Sequence, residues 1–156
     1  MLIRVANKDD LSIIAGLLVE TQKAHVAAYP MRYIPLSLCD AKLSLLERLD
    51  SPGFIVAELD SCVVGYAVYN IVVTEQTTIL RVRQYCYLQQ IGVDVQKRGS
   101  GIGHVLIEHV KNECHKQGVN DIELDVWAFN AGGQKFFEKS GFEPYGFKLN
   151  ACISSQ

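Results

Sequence analysis

The segment Gln96–Gly103 constrains this chain more than any other part of the sequence. It reads Gln-Lys-Arg-Gly-Ser-Gly-Ile-Gly and lies between an apolar, strand-like stretch and a helix-like one. Glycines at alternate positions allow backbone torsions that other residues resist. The helix that follows begins with amides that have no partner inside it and with the positive end of its dipole. The segment therefore predicts an anion site suited to a pyrophosphate.

Two common phosphate-binding loops fit this segment poorly. A Walker A loop requires Gly-Lys followed by Ser or Thr, and the chain contains no Gly-Lys pair. A dinucleotide fingerprint requires Gly or Ala at its sixth position, which is His104 here. That fingerprint also opens a domain, whereas these glycines follow a run of predicted strands. A nucleotide-dependent oxidoreductase stays as a disfavoured alternative.

The composition bounds the class of protein. The chain has 156 residues, 49% of them hydrophobic and 21% charged, which predicts a single globular domain over residues 1–156. The formal net charge of -2 argues against nucleic acid as a partner. No apolar run approaches a membrane span, and the start of the chain lacks a signal-peptide layout. The five scattered cysteines favour free thiols and a cytoplasmic location. No ligand cluster for a metal is predicted.

The apolar periodicity predicts the element order β-α-α-β-β-β-α-β-α-β, which indicates an α/β fold. Ser37 is expected to cap the second helix, with Leu43, Leu46 and Leu49 along its apolar stripe.

The predicted strands carry two local signals. A hairpin is expected between Phe54–Leu59 and Cys62–Val72, with its turn at Asp60 and Ser61. The stretch Ile79–Val95 is too long for one uninterrupted strand, and a bulge is expected in it, with Gly92 as one candidate position. Residues Phe147–Ile153 are predicted to form a last strand.

Three blocks of sequence resemble the GNAT superfamily of acyl-CoA-dependent N-acyltransferases. Gln96, Gly99 and Gly101 fill its Gln/Arg-x-x-Gly-x-Gly/Ala motif, which follows a stretch similar to the family's central strand. Residues Asn130–Phe142 are similar to the family's late helix, and Ile55–Tyr66 to its early hairpin. The blocks occur in the family's order and at its separations, from about residue 54 to residue 145.

The resemblance implies a mixed, mostly antiparallel central sheet with helices on both faces and a splayed central strand. It also implies an N-acetyltransferase that moves an acetyl group from acetyl-CoA, its cosubstrate, to a primary amine of a small molecule or peptide by direct attack. Dimers are common in the family, so a homodimer stays open. The residues it assigns to the cofactor are Ile91, Val93, Val95, Lys97, Arg98, Gly99, Ser100, Gly101, Ile102, Gly103, His104, Asn130 and Phe137.

The chain departs from the family at two catalytic positions. Many relatives carry a glutamate on the central strand, where this chain has Gln89 and Gln90, and a tyrosine acid on the late helix, where it has Phe137. Tyr85, Tyr87 and Tyr145 are possible substitutes for the missing acid. The catalytic candidates are Tyr87 and Gln89, the latter because an amide can hold a water molecule. These losses also keep open a non-catalytic acyl-CoA-binding sensor or subunit. By the resemblance, the first two helices shape the acceptor pocket, with His25, Tyr29 and Arg32 as its candidate contacts.

Overall fold

Five strands in chain order form one sheet in the computed structural model, which describes residues 1–151. The pairs β1–β2, β2–β3 and β3–β4 are antiparallel, and the β4–β5 pair is parallel. The sheet lies in a compact unit, Met1–Asp125, and a second unit begins at Val126. The elements of the first unit are β1 (Leu2–Val5), α1 (Leu11–Ala28), α2 (Leu38–Leu46), β2 (Phe54–Leu59), β3 (Cys62–Val73), β4 (Gln84–Val93), α3 (Ile102–Lys116) and β5 (Ile122–Leu124). The second unit contains α4 (Ala131–Lys139).

Helices cover both faces of the sheet, as predicted. Tyr66 and Val68 of β3 share a buried core with Ile14 of α1 and Leu45 of α2. Gly65 points to the opposite face, where a Cβ would lie 3.2 Å from Cγ2 of Ile102 and 3.3 Å from Cδ1 of Leu106 in α3. The alternation of a β-strand thus places α1 and α2 on one face and α3 on the other.

The β2–β3 hairpin confirms the predicted turn. Asp60 and Ser61 have φ of 50° and 61°, the left-handed conformation that a tight two-residue hairpin requires at both positions. The register continues from Leu59↔Cys62 to Phe54↔Val68 with one bulge.

Two predictions are wrong, one about the apolar face of α2 and one about a last strand near the end of the chain. Helix α2 ends at Leu46, and it buries Ala41 and Leu45, whereas Leu43 and Leu46 of the predicted apolar stripe are exposed. The predicted last strand is not formed over residues 147–151, and its remaining residues lie outside the described part. None of the helices described within residues 1–151 has both the length and the apolar character needed to cross a membrane.

An ion pair fixes the chain where β1 leads into α1. Asp10 is buried and accepts two hydrogen bonds from the Arg4 guanidinium, at 2.7 and 2.9 Å. It also accepts the backbone N–H of Asn7 at 2.8 Å, while Asn7 Oδ1 accepts the N–H of Asp9. The hydrogen bonds from Arg4 are the main cause that lowers the pKa of the Asp10 carboxyl.

Replacing Asp10 by asparagine is expected to cost about 2 kcal/mol of unfolding free energy at pH 7, because it removes a charge-assisted pair. The folded-state pKa of Asp10 is lowered, so its contribution is complete above the unfolded-state value of about 3.9. It is lost as the pH falls through the lower folded-state pKa. Denaturant titrations at several pH values measure the difference, and the exposed neighbour Asp9→Asn serves as control. A difference between wild type and Asp10→Asn that did not shrink in acid would contradict this assignment.

The role of Gly92 differs from the prediction. The bulge of β4 lies elsewhere, at Gln89, and Gly92 pairs regularly with Tyr66 of β3. A Cβ on Gly92 would lie 2.5 Å from Cε1 of the buried Tyr66 ring, so this position excludes a side chain.

Gly92→Ala is expected to destabilise the protein by about 1 to 3 kcal/mol, because the Tyr66 ring must move within a packed core. Gly16 in α1 is the matched control, since nothing lies within 4 Å of the place where its Cβ would be and its helix favours alanine. Gly16→Ala should raise stability by up to about 1 kcal/mol. Thermal or denaturant unfolding measures the stability of both variants. Equal changes in stability would contradict the close contact with Tyr66.

Candidate active site

The glycine-rich segment forms the turn that leads from β4 into α3. Gly99 and Gly101 have φ of 78° and 86°, and nothing lies within 4 Å of the place where their Cβ atoms would be. Their backbone conformation, and not lack of space, therefore favours glycine here. Helix α3 begins at Ile102, and Val105 N–H donates to Gly101 O at 3.1 Å. The amides ahead of Val105 are thus those that a helix start leaves without an intrahelical acceptor.

Local hydrogen bonds hold this turn in place. The Asp94 side chain accepts the backbone N–H of Gln96 at 2.9 Å. Ser100 Oγ donates to the carbonyl oxygen of Lys97 at 2.6 Å, so its hydroxyl is engaged within the turn. Such bonds order the amides before any ligand arrives, which lowers the entropic cost of binding.

Arg98 adds a positive charge at the junction of β4 and the turn. Its Nε donates to the carbonyl oxygen of Val93, the last residue of β4, at 3.3 Å. The guanidinium is therefore held at the end of β4, and its charge adds to the positive end of the α3 dipole in favouring an anion at this turn.

The outer edge of β4 has main-chain groups without a strand partner. Pairing with β5 runs only from Cys86 to Leu88, whereas β4 continues to Val93. Asp94 N–H donates to Val64 of β3 at 2.9 Å. Because main-chain direction alternates along a strand, the N–H and C=O groups of Ile91 and Val93 point away from β3. Both residues were predicted to offer main-chain contacts to the cofactor.

Val95 does not lie on the strand, contrary to its predicted place. It belongs to a short 3₁₀ turn, Val95–Lys97, that follows β4. Asp94 caps this turn, which redirects the chain towards α3. The prediction extended the strand two residues too far because Val-Asp-Val continues the apolar alternation.

The bulge of β4 places two successive glutamines on one face of the sheet. Gln90 pairs with Val68 while Leu88 pairs with Tyr69, so Gln89 is the extra residue. Gln90 Oε1 accepts the Tyr66 hydroxyl at 3.5 Å. Gln89 Nε2 donates to Asn70 Oδ1 at 2.8 Å. Both contacts are on the face covered by α1 and α2, since residues 66, 68 and 70 alternate regularly along β3.

Arg48, which follows α2, reaches the same bulge. Its Nη1 donates to Gln89 Oε1, so the Gln89 amide is held between Arg48 and Asn70. Arg48 was not predicted as a site residue, because it lies in a polar stretch after a helix and far from β4 in the chain. The contact depends on tertiary structure alone.

Tyr87 and Asp125 form a hydrogen-bonded pair on this face. Tyr87 lies opposite Asn70 in the β3–β4 register, and its hydroxyl donates to Asp125 Oδ2 at 2.6 Å. This bond, more than burial, raises the pKa of Tyr87 to about 12. Tyr87 was predicted and Asp125 was not, although the alternation of acidic residues along Asp121, Glu123 and Asp125 could have signalled a carboxylate edge.

The acceptor candidates lie together at the end of α1. His25 Nδ1 lies 3.0 Å from the carbonyl oxygen of Thr21, and its ring is 5.2 Å from that of Tyr33. Tyr29 caps α1, and its carbonyl oxygen accepts the backbone N–H of Arg32 at 3.0 Å. His25, Tyr29 and Arg32 thus follow one another at the C-terminal end of α1 and in the turn after it.

Asn130 and Phe137 belong to the second unit. Asn130 caps α4, and its Oδ1 accepts Gly133 N–H at 2.9 Å. A Cβ on Gly133 would lie 2.4 Å from Asn130 Nδ2, so this glycine makes room for the cap. The Phe137 ring packs against Phe136 and Phe142, at centroid distances of 5.1 and 5.7 Å.

Arg83 and Glu108 take part in ion pairs at the surface. Arg83 pairs with Glu123 at 2.5 Å and with Asp121 at 3.7 Å. Glu108, on the outer face of α3, pairs with Lys111 at 2.8 Å. Within residues 1–151, no group of three or more His, Cys, Asp or Glu side chains is arranged to hold a metal ion.

Comparison with known proteins identifies the family. Residues 16–142 match the Acetyltransferase (GNAT) family, so the chain belongs to this family of acyltransferase enzymes. An uncharacterized N-acetyltransferase of Methanocaldococcus jannaschii is 31% identical over 98 residues, which cover 63% of this chain and 42% of that protein. The [ribosomal protein bS18]-alanine N-acetyltransferase of Escherichia coli is 30% identical over 86 residues, 55% of this chain and 51% of that enzyme. These matches span about half the length of the curated relatives.

Solved structures show the same fold. A mutant of the BH1408 protein from Bacillus halodurans superposes with a TM-score of 0.91 at 23% identity, over 99% of this chain and 100% of that one. A structure described as a possible acetyltransferase from Clostridium difficile has a TM-score of 0.74 at 21% identity, over 99% and 98% of the two chains. At these identities the likeness concerns the fold, and it confirms the predicted mixed sheet with flanking helices.

Proposed function

We propose that this protein is an N-acetyltransferase that moves the acetyl group of acetyl-CoA to a primary amine of a small molecule or peptide by direct attack. The observation that carries the proposal is the continuous path from the outer edge of β4 into the glycine turn at the start of α3. Membership of the GNAT family supports it, because the family's enzymes transfer acyl groups from CoA.

The cofactor would occupy this path in two parts. The outward N–H and C=O groups of Ile91 and Val93 would bind the amide-bearing pantetheine arm in the manner of an added strand. The amides from Gly99 to His104 would bind the pyrophosphate, with Lys97 and Arg98 supplying positive charge nearby. The turn is already ordered by its own hydrogen bonds, which favours tight binding.

The bulge at Gln89 would support the attack of the amine on the thioester carbonyl. A bulged residue stands outside the regular ladder, so an amide between Gln89 and Ile91 can point towards the thioester carbonyl. Such a donor would stabilise the oxyanion formed when the amine attacks, a contribution of about 3 kcal/mol in other enzymes. The C–N bond forms, the C–S bond then breaks, and the CoA thiolate leaves and takes up the second proton that the nitrogen gives up.

The amine must reach the thioester without its proton. An alkylamine with a pKa near 10 requires about 4 kcal/mol to be neutral at pH 7. We assign the proton to the Asp125 carboxylate, directly or through water. Tyr87 keeps its own proton at neutral pH, since its pKa is raised to about 12, and it orients Asp125 through the 2.6 Å hydrogen bond. Tyr87 is therefore a positioning residue in this scheme.

The test is thiol release from acetyl-CoA in the presence of a panel of amines and peptide N-termini. The Escherichia coli relative acts on an alanine of a ribosomal protein, which makes a peptide amine a sensible member of the panel. Amine-dependent release of CoA, with the acetylated product detected by mass spectrometry, is expected. Absence of turnover with every amine, together with absence of acetyl-CoA binding, would contradict the proposal.

A non-catalytic acyl-CoA-binding role is the second candidate, because Phe137 and Gln89 lack the ionisable groups common in the family. It predicts tight binding of acetyl-CoA without turnover of any amine. The Tyr87–Asp125 pair favours the enzyme, since it supplies a carboxylate on the face that carries the bulge.

A further inference from the structure

Arg48 brings a positive charge to the bulge of β4 without a carboxylate to balance it. Among the ion pairs formed within residues 1–151, Arg4 and Arg83 are each held by two acidic side chains, whereas Arg48 takes part in none. Its one described side-chain hydrogen bond goes to the neutral amide oxygen of Gln89. Arg48 is also only partly exposed, so water compensates its charge incompletely.

The surroundings fix the position of this guanidinium. Gln89 accepts from Arg48 through Oε1 and donates through Nε2 to Asn70 Oδ1, which sets the orientation of its amide. The Arg48 charge is also felt by the buried Tyr66 on the same face, where it opposes the rise that burial causes in the hydroxyl pKa. The charge is therefore placed beside the bulge and held there by neutral groups.

The chemistry of arginine indicates what is missing. A guanidinium presents five N–H donors in a planar fork that matches the two oxygens of a carboxylate. One hydrogen bond to Gln89 leaves this fork with capacity for a bidentate partner. A carboxylate beside the bulge would complete both the charge balance and the hydrogen bonding.

We propose that Arg48 recognises a carboxylate on a ligand that reacts at the bulge. The inference rests on the proposed acetyltransferase function and specifies its substrate class. The carboxylate can belong to the acceptor, which is then an amino acid or another amino-carboxylate. It can also belong to the acyl group of a dicarboxylic acyl-CoA. Both sources share the same chemistry at Arg48, and the experiment separates them.

The experiment compares matched substrates in steady-state kinetics. One arm pairs amino acids with their carboxamides, using acetyl-CoA as donor. The other arm pairs succinyl-CoA with acetyl-CoA, using an amine without a carboxylate. The carboxylate member of one pair should be preferred, and Arg48→Gln should reduce its kcat/KM roughly 10- to 100-fold, mainly through KM. The uncharged member should be unaffected.

Two further variants make the result specific. Arg48→Lys keeps the charge but loses the fork, so it should restore part of the preference. Lys42→Gln removes a positive charge from the exposed surface of α2 and should behave as wild type. Calorimetric titration with the same compounds measures their binding without turnover. A carboxylate compound should bind the wild-type protein and should not bind the Arg48→Gln variant.

Equal use of carboxylate and carboxamide acceptors, and of the two acyl donors, would overturn the proposal for Arg48. So would an equal loss for both members of a pair in Arg48→Gln, which would indicate a structural role for its contact with Gln89. Failure of the acetyltransferase proposal looks different, because wild type would then bind no acetyl-CoA and acetylate no amine.

Discussion

A Gly101→Asp substitution is expected to weaken acetyl-CoA binding about 100-fold or more. Gly101 has φ of 86° and directly precedes the first helical residue of α3. Aspartate tolerates positive φ better than most residues other than glycine, so we expect the variant to fold with some loss of stability. Its carboxylate would occupy the amides that the pyrophosphate needs. Two like charges about 4 Å apart repel by about 4 kcal/mol near a protein surface.

Gly118→Asp is the matched control for this variant. Gly118 has φ of 74° beyond the other end of α3, and its Cβ position is equally open. The Gly118→Asp variant should bind acetyl-CoA like wild type, with only a small loss of stability from the negative charge near the C-terminal end of α3. Isothermal titration calorimetry measures the acetyl-CoA affinity of both variants. Unchanged affinity in Gly101→Asp, or an equal loss in both variants, would contradict an anion site at the start of α3.

Asp125→Asn is expected to lower kcat about 100-fold or more at pH 7, the range typical of a lost general base. Thermal stability should change little, because Asp125 is exposed and its hydrogen bond with Tyr87 can be kept by an amide oxygen. Tyr87→Phe should have a smaller effect, since it removes only the group that orients the carboxylate.

The pH dependence separates a base from a structural carboxylate. As the pH rises towards the pKa of the amine, more acceptor arrives already neutral and the base matters less. The ratio of wild-type to Asp125→Asn rates should therefore shrink with rising pH. Asp121→Asn is the control, because it removes an exposed carboxylate just before β5, whereas Asp125 lies just after it. This variant should retain wild-type rates. A ratio that stays constant between about pH 7 and pH 9.5 would exclude Asp125 as the proton acceptor.

The fold could be predicted from local patterns because each pattern has a direct physical cause. The Asp60–Ser61 hairpin, the cap at Ser37 and the glycine turn before α3 all follow from short-range backbone preferences. The limits of β4 could not be predicted in the same way. Gly92 indicated a bulge by composition, but its small size serves the packed ring of Tyr66 across the sheet.

The candidate site was predictable only where one segment supplies it. The glycine turn and the strand residues Ile91 and Val93 lie in one stretch of the chain, so the motif and the family resemblance were sufficient to propose them together. Arg48 and Asp125 follow α2 and β5, and no spacing in the sequence links them to β4. Their contacts with Gln89 and Tyr87 arise from the tertiary fold.

The most direct test of the central claim is an NMR titration of protein labelled with ¹⁵N only at its 12 glycines. Addition of acetyl-CoA should shift the amide resonances of Gly99, Gly101 and Gly103, while those of Gly16 and Gly118 stay in place. Pantetheine, which lacks the pyrophosphate, should leave the three resonances nearly unchanged. Saturation with acetyl-CoA without a shift at Gly99, Gly101 and Gly103 would contradict the assignment of this turn as the pyrophosphate site.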